Sequence, residues 1–233
     1  MRRYLLIDDN AAFAENLAEI VRDAGALAVV APSGAEALRL AGESRFDALL
    51  TDMRMPVMSG AQLVHAVRRI DPGLPAIVVT AYTGEDDLEA ARQEGLLAVL
   101  PKPAPLERLL ALLAGARRDG LVALIEDDAA LADNLAEALS DRGFSAVMAR
   151  SVVETQRLGG VRPFAALVDL RMPGGPDGEA MRQLVRVFPG LPVFVITAHP
   201  DAAGHEPLAG FISKPFDTGM LLAALERLHG QAR

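Results

Sequence analysis

Short apolar runs alternate with amphipathic segments along the whole chain of 233 residues. In the first half, strands are predicted near 5–7, 28–30, 48–51, 76–80 and 98–100. A first helix is predicted up to Gly25, and further helices near 35–41, 61–70, 85–94 and 106–114, because apolar residues recur there at helical spacing. Strands that are apolar throughout and alternate with helices indicate a parallel sheet covered on both faces. Right-handed crossovers limit the topology to a doubly wound α/β sheet.

The same pattern occurs twice. Residues 5–17 read LLIDDNAAFAENL and 123–135 read ALIEDDAALADNL; 46–56 read FDALLTDMRMP and 164–173 read FAALVDLRMP. PAIVVTA at 75–81 matches PVFVITA at 192–198, and LPKP at 100–103 matches ISKP at 212–215. Four matching blocks in one order indicate a duplication. We predict a first domain at 1–116, a short linker at 117–120 and a second domain at 121–233, because glycine and charged residues interrupt the apolar pattern at 115–120.

Composition excludes several classes of protein. Hydrophobic residues make up 51% and charged residues 23% of the chain, which is typical of globular domains. The net charge of −8 argues against a nucleic-acid partner, and no apolar run approaches the ~18 residues that span a bilayer. Cysteine is absent, which excludes disulfides and thiolate metal sites, and two acids follow the first apolar run too early for a signal peptide. We therefore expect a cytoplasmic protein without a membrane partner.

Polar residues follow the predicted strands at matching places in both copies. In the first copy they are Asp8, Asp9, Asp52, Thr80 and Lys102. In the second copy they are Glu126, Asp127, Asp169, Thr197 and Lys214. The carboxyl ends of parallel strands lie at one edge of the sheet, where functional groups collect, so each set is expected to converge.

Three converging carboxylates repel one another unless a positive charge lies among them. Mg²⁺ suits such a group, since it binds one or two carboxylates together with water and phosphate oxygens. A lysine adds a second positive charge, and a threonine hydroxyl can donate a hydrogen bond to a phosphoryl oxygen. This set indicates phosphoryl transfer, in which Asp52 or Asp169 is the nucleophile and becomes an aspartyl phosphate.

With its acidic pair, D-x-x-M-P, T-A and K-P, each copy resembles the CheY-like receiver domains of bacterial response regulators in two-component signalling, over nearly the whole chain. The resemblance implies two flavodoxin-like sheets with strand order 2-1-3-4-5. It implies that Asp52 and Asp169 are phosphoacceptors, that Asp9 and Asp127 bind Mg²⁺ directly, and that Asp8 and Glu126 assist through water. The other implied roles are metal binding by the backbone carbonyls of Arg54 and Arg171, phosphoryl contact by Thr80 and Thr197, ion pairing by Lys102 and Lys214, and cis peptides before Pro103 and Pro215.

The two copies depart from that family pattern differently. Members commonly carry a switching aromatic residue three positions before the lysine; the second copy has Phe211 there, whereas the first has Val99. Lys102 lies 22 positions after Thr80, but Lys214 lies only 17 after Thr197, in a segment with two prolines. Because proline inside a helix costs about 3 kcal/mol, we predict that the fourth helix of the second copy is shortened or absent. We expect the second copy to dock against the first through this altered face.

These observations predict a response regulator of two receiver domains that accepts a phosphoryl group from a sensor histidine kinase or a histidine phosphotransferase. No residues remain for a separate output domain, so signalling is expected through contact with an unidentified protein, or through a phosphate-sink role. It would be no enzyme beyond its own phosphorylation and dephosphorylation. The sequence leaves a monomer and a homodimer open, and the four histidines are interpreted as isolated surface residues.

Two alternatives use similar sheets. A hydrolase of the haloacid-dehalogenase class also has a nucleophilic aspartate, but it needs a second acid two residues later, where this chain has Arg54 and Arg171. A flavodoxin-like electron carrier would need a phosphate-binding loop after the first strand, and Asp8, Asp9 and Asn10 would repel flavin phosphate.

Overall fold

The computed structural model describes residues 1–81, 94–198 and 209–231, which form two sheets of five parallel strands. The elements of the first domain are β1 (Arg3–Ile7), α1 (Ala11–Asp23), β2 (Leu27–Ala31), α2 (Gly34–Glu43), β3 (Ala48–Thr51), α3 (Gly60–Ile70), β4 (Ala76–Thr80), β5 (Ala98–Pro101) and α4 (Leu106–Gly115). The strand order β2-β1-β3-β4-β5 confirms the predicted topology.

The second domain repeats this plan with the order β7-β6-β8-β9-β10. Its elements are β6 (Leu121–Ile125), α5 (Ala129–Asp141), β7 (Ser145–Ala149), α6 (Val152–Thr155), a 3₁₀ turn (Gln156–Gly160), β8 (Ala165–Asp169), α7 (Glu179–Val187), β9 (Val193–Thr197), β10 (Gly210–Ser213) and α8 (Thr218–Gln231). The helix predicted at 85–94, and the prediction of a shortened helix before β10, lie outside the described residues apart from Glu94, which lies in a turn.

Local sequence explains where the helices next to the sheet edge begin. Asn10 and Asp128 stand at matching places after the acidic pairs, and each accepts hydrogen bonds from the first turn of its helix, α1 or α5. Ser59 and Gln62 form a reciprocal capping box at the start of α3. These caps fix the loops that carry the acidic residues.

Alternate residues of each strand pack on opposite faces of the sheet. In β1, Leu6 belongs to the core under α1 and α4, whereas Leu5 belongs to the core under α2 and α3. Both residues are at most 1% exposed. The continuous apolar strands of the sequence are therefore strands covered on both faces.

The two domains meet along the β5 edge of the first sheet and the β7 edge of the second. Leu96 forms an antiparallel bridge with Ala146, and the Arg117 amide donates to the Gly143 carbonyl at 2.9 Å. A Cβ at Gly143 would lie 2.0 Å from the Gly115 carbonyl oxygen, so this close approach requires glycine. The described contacts between the domains thus use the sheet edge opposite β10. The segment before β10, through which the sequence predicts docking, lies outside the described residues.

One histidine differs from its sequence interpretation. His229 is 4% exposed and packs edge-on against Phe144 and Phe164, so its interpretation as a surface residue was wrong. His65 is exposed, as expected, and lies 3.1 Å from Glu94. No helix within the described ranges has the length and apolar character needed to cross a membrane.

Candidate functional site

The first candidate site lies at the carboxyl ends of β1, β3, β4 and β5. Asp8 and Asp9 follow β1, and Asp52 follows β3; the Asp52 amide donates to the Ile7 carbonyl at 3.1 Å, which extends the pairing of the two strands to the site. Oxygen atoms of Asp8, Asp9 and Asp52 all lie within 4.8 Å of one another. The structure therefore brings the three predicted carboxylates together.

Lys102 joins this cluster from the end of β5. Its Nζ lies 2.5 Å from Asp52 Oδ2 and 2.6 Å from Asp8 Oδ2, and the side chains of all three residues are at most 16% exposed. The Lys102 amide donates to the Thr80 carbonyl at 2.9 Å, so β4 fixes the backbone that carries the lysine. Thr80 is 2% exposed, at the end of β4.

The electrostatics of the cluster show that its charges are unbalanced. Burial raises the pKa of Asp8, although hydrogen bonds from Lys102 and the Asn10 amide oppose the shift. Burial alone would lower the pKa of Lys102, but its bonds and charge interactions with Asp52 and Asp8 together raise it. Lys102 therefore stays protonated, and one positive charge faces three carboxylates.

A hard divalent cation fits this excess of carboxyl groups over positive charges. Three carboxyl groups and one ammonium share a small volume, and Mg²⁺ uses carboxylate oxygen ligands at such places. Asp9 is exposed, so it would offer a carboxylate on the solvent side of the cluster. The residues present thus fit a magnesium ion.

The second candidate site has the same design. Oxygen atoms of Glu126, Asp127 and Asp169 lie within 4.8 Å of one another, and Lys214 Nζ lies 2.8 Å from Glu126 and 2.7 Å from Asp169. Burial raises the pKa of Glu126. Burial alone would lower the pKa of Lys214, but its interactions with Asp169 and Glu126 raise it overall. The Lys214 amide donates to the Thr197 carbonyl at 3.0 Å, and Thr197 is 1% exposed.

The remaining predicted residues lie around these clusters. The Arg54 amide donates to Asp52 Oδ1 at 3.4 Å, and the Arg171 amide donates to Asp169 Oδ1 at 3.0 Å, so both backbones run beside the acceptor carboxylates. The peptides before Pro103 and Pro215 are cis, as predicted. The use of the Arg54 and Arg171 carbonyls as metal ligands stays a prediction.

The two positions that differ between the copies also differ in environment. Phe211 lies in β10 and is 40% exposed. Val99, its counterpart in β5, is half-buried and lines a groove between the domains together with Arg108 and Met148. Val99, three positions before Lys102, thus packs against the core of the first domain and borders the groove between the domains.

Sequence reasoning missed Phe13. The Lys102 ammonium lies 4.7 Å from the centre of the Phe13 ring, a cation–π contact that helps to orient the lysine. The repeat could have pointed to Phe13, because the corresponding residue of the second copy is Leu131, which is not aromatic. An aromatic residue in one copy alone marks a contact that the other site lacks.

Comparison with known proteins finds relatives of both halves of the chain. The sequence profile described as "Response regulator receiver domain" matches residues 4–114 and 122–226. A response regulator receiver protein of Anaeromyxobacter sp. (strain Fw109-5) is 63% identical over 233 residues, which cover 98% of this chain and 96% of that protein. The transcriptional regulatory protein GlrR of Escherichia coli K12 is 35% identical over 105 residues, 45% of this chain and 24% of GlrR.

Among solved structures, the receiver domain of a sensor histidine kinase from Pseudomonas aeruginosa PAO1, with magnesium in its active-site cleft, is 29% identical. The superposition covers 48% of this chain and 93% of the Pseudomonas chain, with a TM-score of 0.45. The profile matches both halves and the Anaeromyxobacter relative matches almost the whole chain, so the protein belongs to the response regulator receiver family and carries two receiver domains in tandem.

Proposed function

We propose that this protein accepts phosphoryl groups on Asp52 and Asp169, with Mg²⁺ as the metal, from a sensor histidine kinase or a histidine phosphotransferase. One observation carries the proposal: Lys102 Nζ lies within 2.6 Å of both Asp8 and Asp52, inside a cluster of three carboxylates. A lysine and an acidic cluster around one aspartate are the groups that phosphoryl transfer to that aspartate requires.

The transfer step balances as follows. A carboxylate oxygen of Asp52 attacks phosphorus, the bond between phosphorus and the donor's histidine nitrogen breaks, and that nitrogen keeps the electron pair. The product is a mixed anhydride of the Asp52 carboxyl group with phosphate. Later attack by water on phosphorus returns the free carboxylate and inorganic phosphate.

The chain's own residues position and neutralise the reacting groups. The Arg54 amide and Lys102 hold the two Asp52 oxygens in place before transfer. During transfer, Lys102 and the Thr80 hydroxyl would bind phosphoryl oxygens, while Asp8, Asp9, Asp52 and the Arg54 carbonyl would hold the metal. Bound Mg²⁺ would supply charge neutralisation for the incoming phosphoryl group.

The second domain would act in the same way. Asp169 is the acceptor, Lys214 and Thr197 bind the phosphoryl oxygens, and Glu126, Asp127, Asp169 and the Arg171 carbonyl hold the metal. Support comes from the matching ion pairs of Lys214 with Glu126 and Asp169. Phe211 is proposed as the residue that reports the phosphorylation state of this domain, since it lies on the edge strand that ends in the lysine.

The consequences for signalling are part of the proposal. The protein acts in the cytoplasm as a phosphoacceptor, and it is an enzyme only toward its own phosphorylation and dephosphorylation. Its output is a protein–protein contact altered by phosphorylation, or the removal of phosphate from the kinase. It needs no nucleic-acid contact, in keeping with its net charge of −8.

The test is phosphorylation by acetyl phosphate with Mg²⁺, followed by intact-protein mass spectrometry. We expect up to two added phosphoryl groups in the parent, one in Asp52→Asn, one in Asp169→Asn, and none in the double variant. Asp23→Asn, an exposed acid outside both clusters, is the matched control and should behave like the parent. A double variant that still gains mass would place the acceptor elsewhere, and a parent without added mass, from acetyl phosphate and kinase alike, would refute the proposal.

A further inference from the structure

A cleft of about 440 Å³ opens between the two domains, away from both acidic clusters. Arg68 and Arg69 of α3 line it on one side, and Arg162, Val187 and Phe188 line it on the other. Clefts of roughly 300–1,000 Å³ commonly hold small organic ligands. We call it the arginine cleft.

Arg68 is the unusual member of this set, because its charged side chain is buried. The residue is 5% exposed, and its guanidinium donates to the backbone carbonyls of Pro72 and Gly95. Its Nε has no hydrogen-bond partner among the residues that the structure describes, and it forms no ion pair with them. Burial lowers its pKa to about 10, although the charges of Glu94 and Asp71 oppose the shift. A buried guanidinium without a direct ion pair is costly, and a bound anion would relieve that cost.

The neighbouring arginines add positive charge at the mouth of the cleft. Arg69 and Arg162 are exposed, and neither forms an ion pair within the described part of the chain. The acids near Arg68 are already engaged: Arg118 binds the two Asp71 oxygens at 2.6 Å and 2.8 Å, and Glu94 lies 3.1 Å from His65. No Asp or Glu is among the described residues that line the cleft. In a protein with a net charge of −8, this is a local excess of positive charge.

The other walls of the cleft are apolar. Val187 is 42% exposed at the end of α7, and Phe188 beside it is half-buried. Guanidinium groups bind phosphate oxygens in a bidentate manner, and a phosphate dianion matches several arginines better than a single carboxylate does. We propose that the arginine cleft binds an organic phosphate of about nucleotide size, with the phosphate on the arginines and the apolar or aromatic part against Val187 and Phe188.

The test is binding of adenosine monophosphate to the full chain by isothermal titration calorimetry, in EDTA so that the acidic clusters hold no metal. Inorganic phosphate is titrated in parallel. We expect adenosine monophosphate to bind at least fivefold more tightly than inorganic phosphate, and Arg69→Glu or Arg162→Glu to weaken it at least tenfold. Arg227→Glu, an exposed arginine in α8, makes the same change in net charge away from the cleft and should weaken binding less than twofold.

Three outcomes would overturn the proposal: no binding of adenosine monophosphate at millimolar concentration, equal affinity for inorganic phosphate, or an equal loss in Arg227→Glu. The first would show that the cleft takes no such ligand. The second would show that the apolar walls do not take part, and the third that binding follows net charge alone. None of these outcomes depends on phosphorylation of Asp52 or Asp169.

Discussion

The Ala146 amide donates a hydrogen bond to the Leu96 carbonyl at 3.2 Å, and the bridge that it forms between the domains is antiparallel. All paired strands within each sheet are parallel. The carboxyl ends of the two sheets therefore point in opposite directions. At ~3.3 Å per residue from the bridge to the ends of β5 and β7, the two acidic clusters lie roughly 25 Å apart along the strands alone.

This arrangement predicts independent loading of the two acceptors. Charges farther apart than the Debye length of ~10 Å at 0.1 M salt are largely screened, so a phosphoryl group on Asp52 should not repel one on Asp169. We expect the doubly phosphorylated fraction of the parent to equal the product of the two single-site fractions, measured by intact mass in Asp52→Asn and Asp169→Asn. A doubly phosphorylated fraction several-fold below that product would contradict the prediction.

The acidic cluster predicts a stabilising effect of Mg²⁺. A metal at tenfold its dissociation constant should raise the unfolding free energy by about 1.4 kcal/mol, because it binds the folded protein alone. Asp9→Asn should lose most of this gain for the first domain, since it removes one of three carboxylates. Thermal unfolding with and without Mg²⁺ measures the effect. Asp23→Asn should respond like the parent, and an undiminished response in Asp9→Asn would argue against this metal site.

Without metal, the stability difference between the parent and Glu126→Gln should depend on pH. Burial raises the pKa of Glu126 above the usual 4.5, although Lys214 opposes the shift. Between pH 4.5 and the raised value the folded protein binds more protons than the unfolded chain, so this group's contribution to stability falls as the pH rises. Glu126→Gln, which resembles the protonated side chain, should be more stable than the parent at neutral pH, and its advantage should shrink as the pH falls toward 4.5.

Urea unfolding in EDTA at several pH values measures that difference. Glu137→Gln is the control, because the Glu137 side chain is 62% exposed and should show no comparable trend. An advantage of Glu126→Gln that grows toward acid pH would reverse the sign of the proposed shift.

The buried ion pair of Arg118 is expected to stabilise the protein and to couple the unfolding of the two domains. Its guanidinium donates to both Asp71 oxygens and to the Phe46 carbonyl. The side chains of Arg118 and Asp71 are only 14% and 16% exposed. Arg118→Met leaves a largely buried carboxylate unpaired, so we expect a loss of about 2–3 kcal/mol, just below the range for fully buried pairs. The two domains should also unfold less cooperatively, which differential scanning calorimetry would record as a broadened or split transition.

Arg108→Met is the matched control for Arg118→Met. Arg108 pairs with Glu137 of the second domain at 3.5 Å, but the two side chains are 49% and 62% exposed. Exposed pairs contribute ~0–1 kcal/mol, so this variant should change little. Equal losses in the two variants would show that burial of the Arg118 pair does not matter.

Phe13 and Arg118 show where sequence reasoning stopped. The repeat made the Phe13–Leu131 difference visible, but only the fold places the Phe13 ring beside Lys102. Arg117 and Arg118 fall in the predicted linker at 117–120, and the structure shows each in an ion pair, with Glu226 and Asp71. Contacts between residues so far apart in the chain leave no mark in local periodicity.

Sequence patterns alone were enough to predict the duplication, the strands at 48–51 and 76–80, and the convergence of Asp8, Asp9, Asp52 and Lys102. They were enough because apolar runs are local, and because parallel strands bring their carboxyl ends to one edge. The contacts between the domains became visible only in the folded chain: they include the buried His229, the antiparallel bridge at Leu96 and the arginine cleft. Those features depend on shape and charge matching between two separately folded surfaces, and no repeat or period encodes that match.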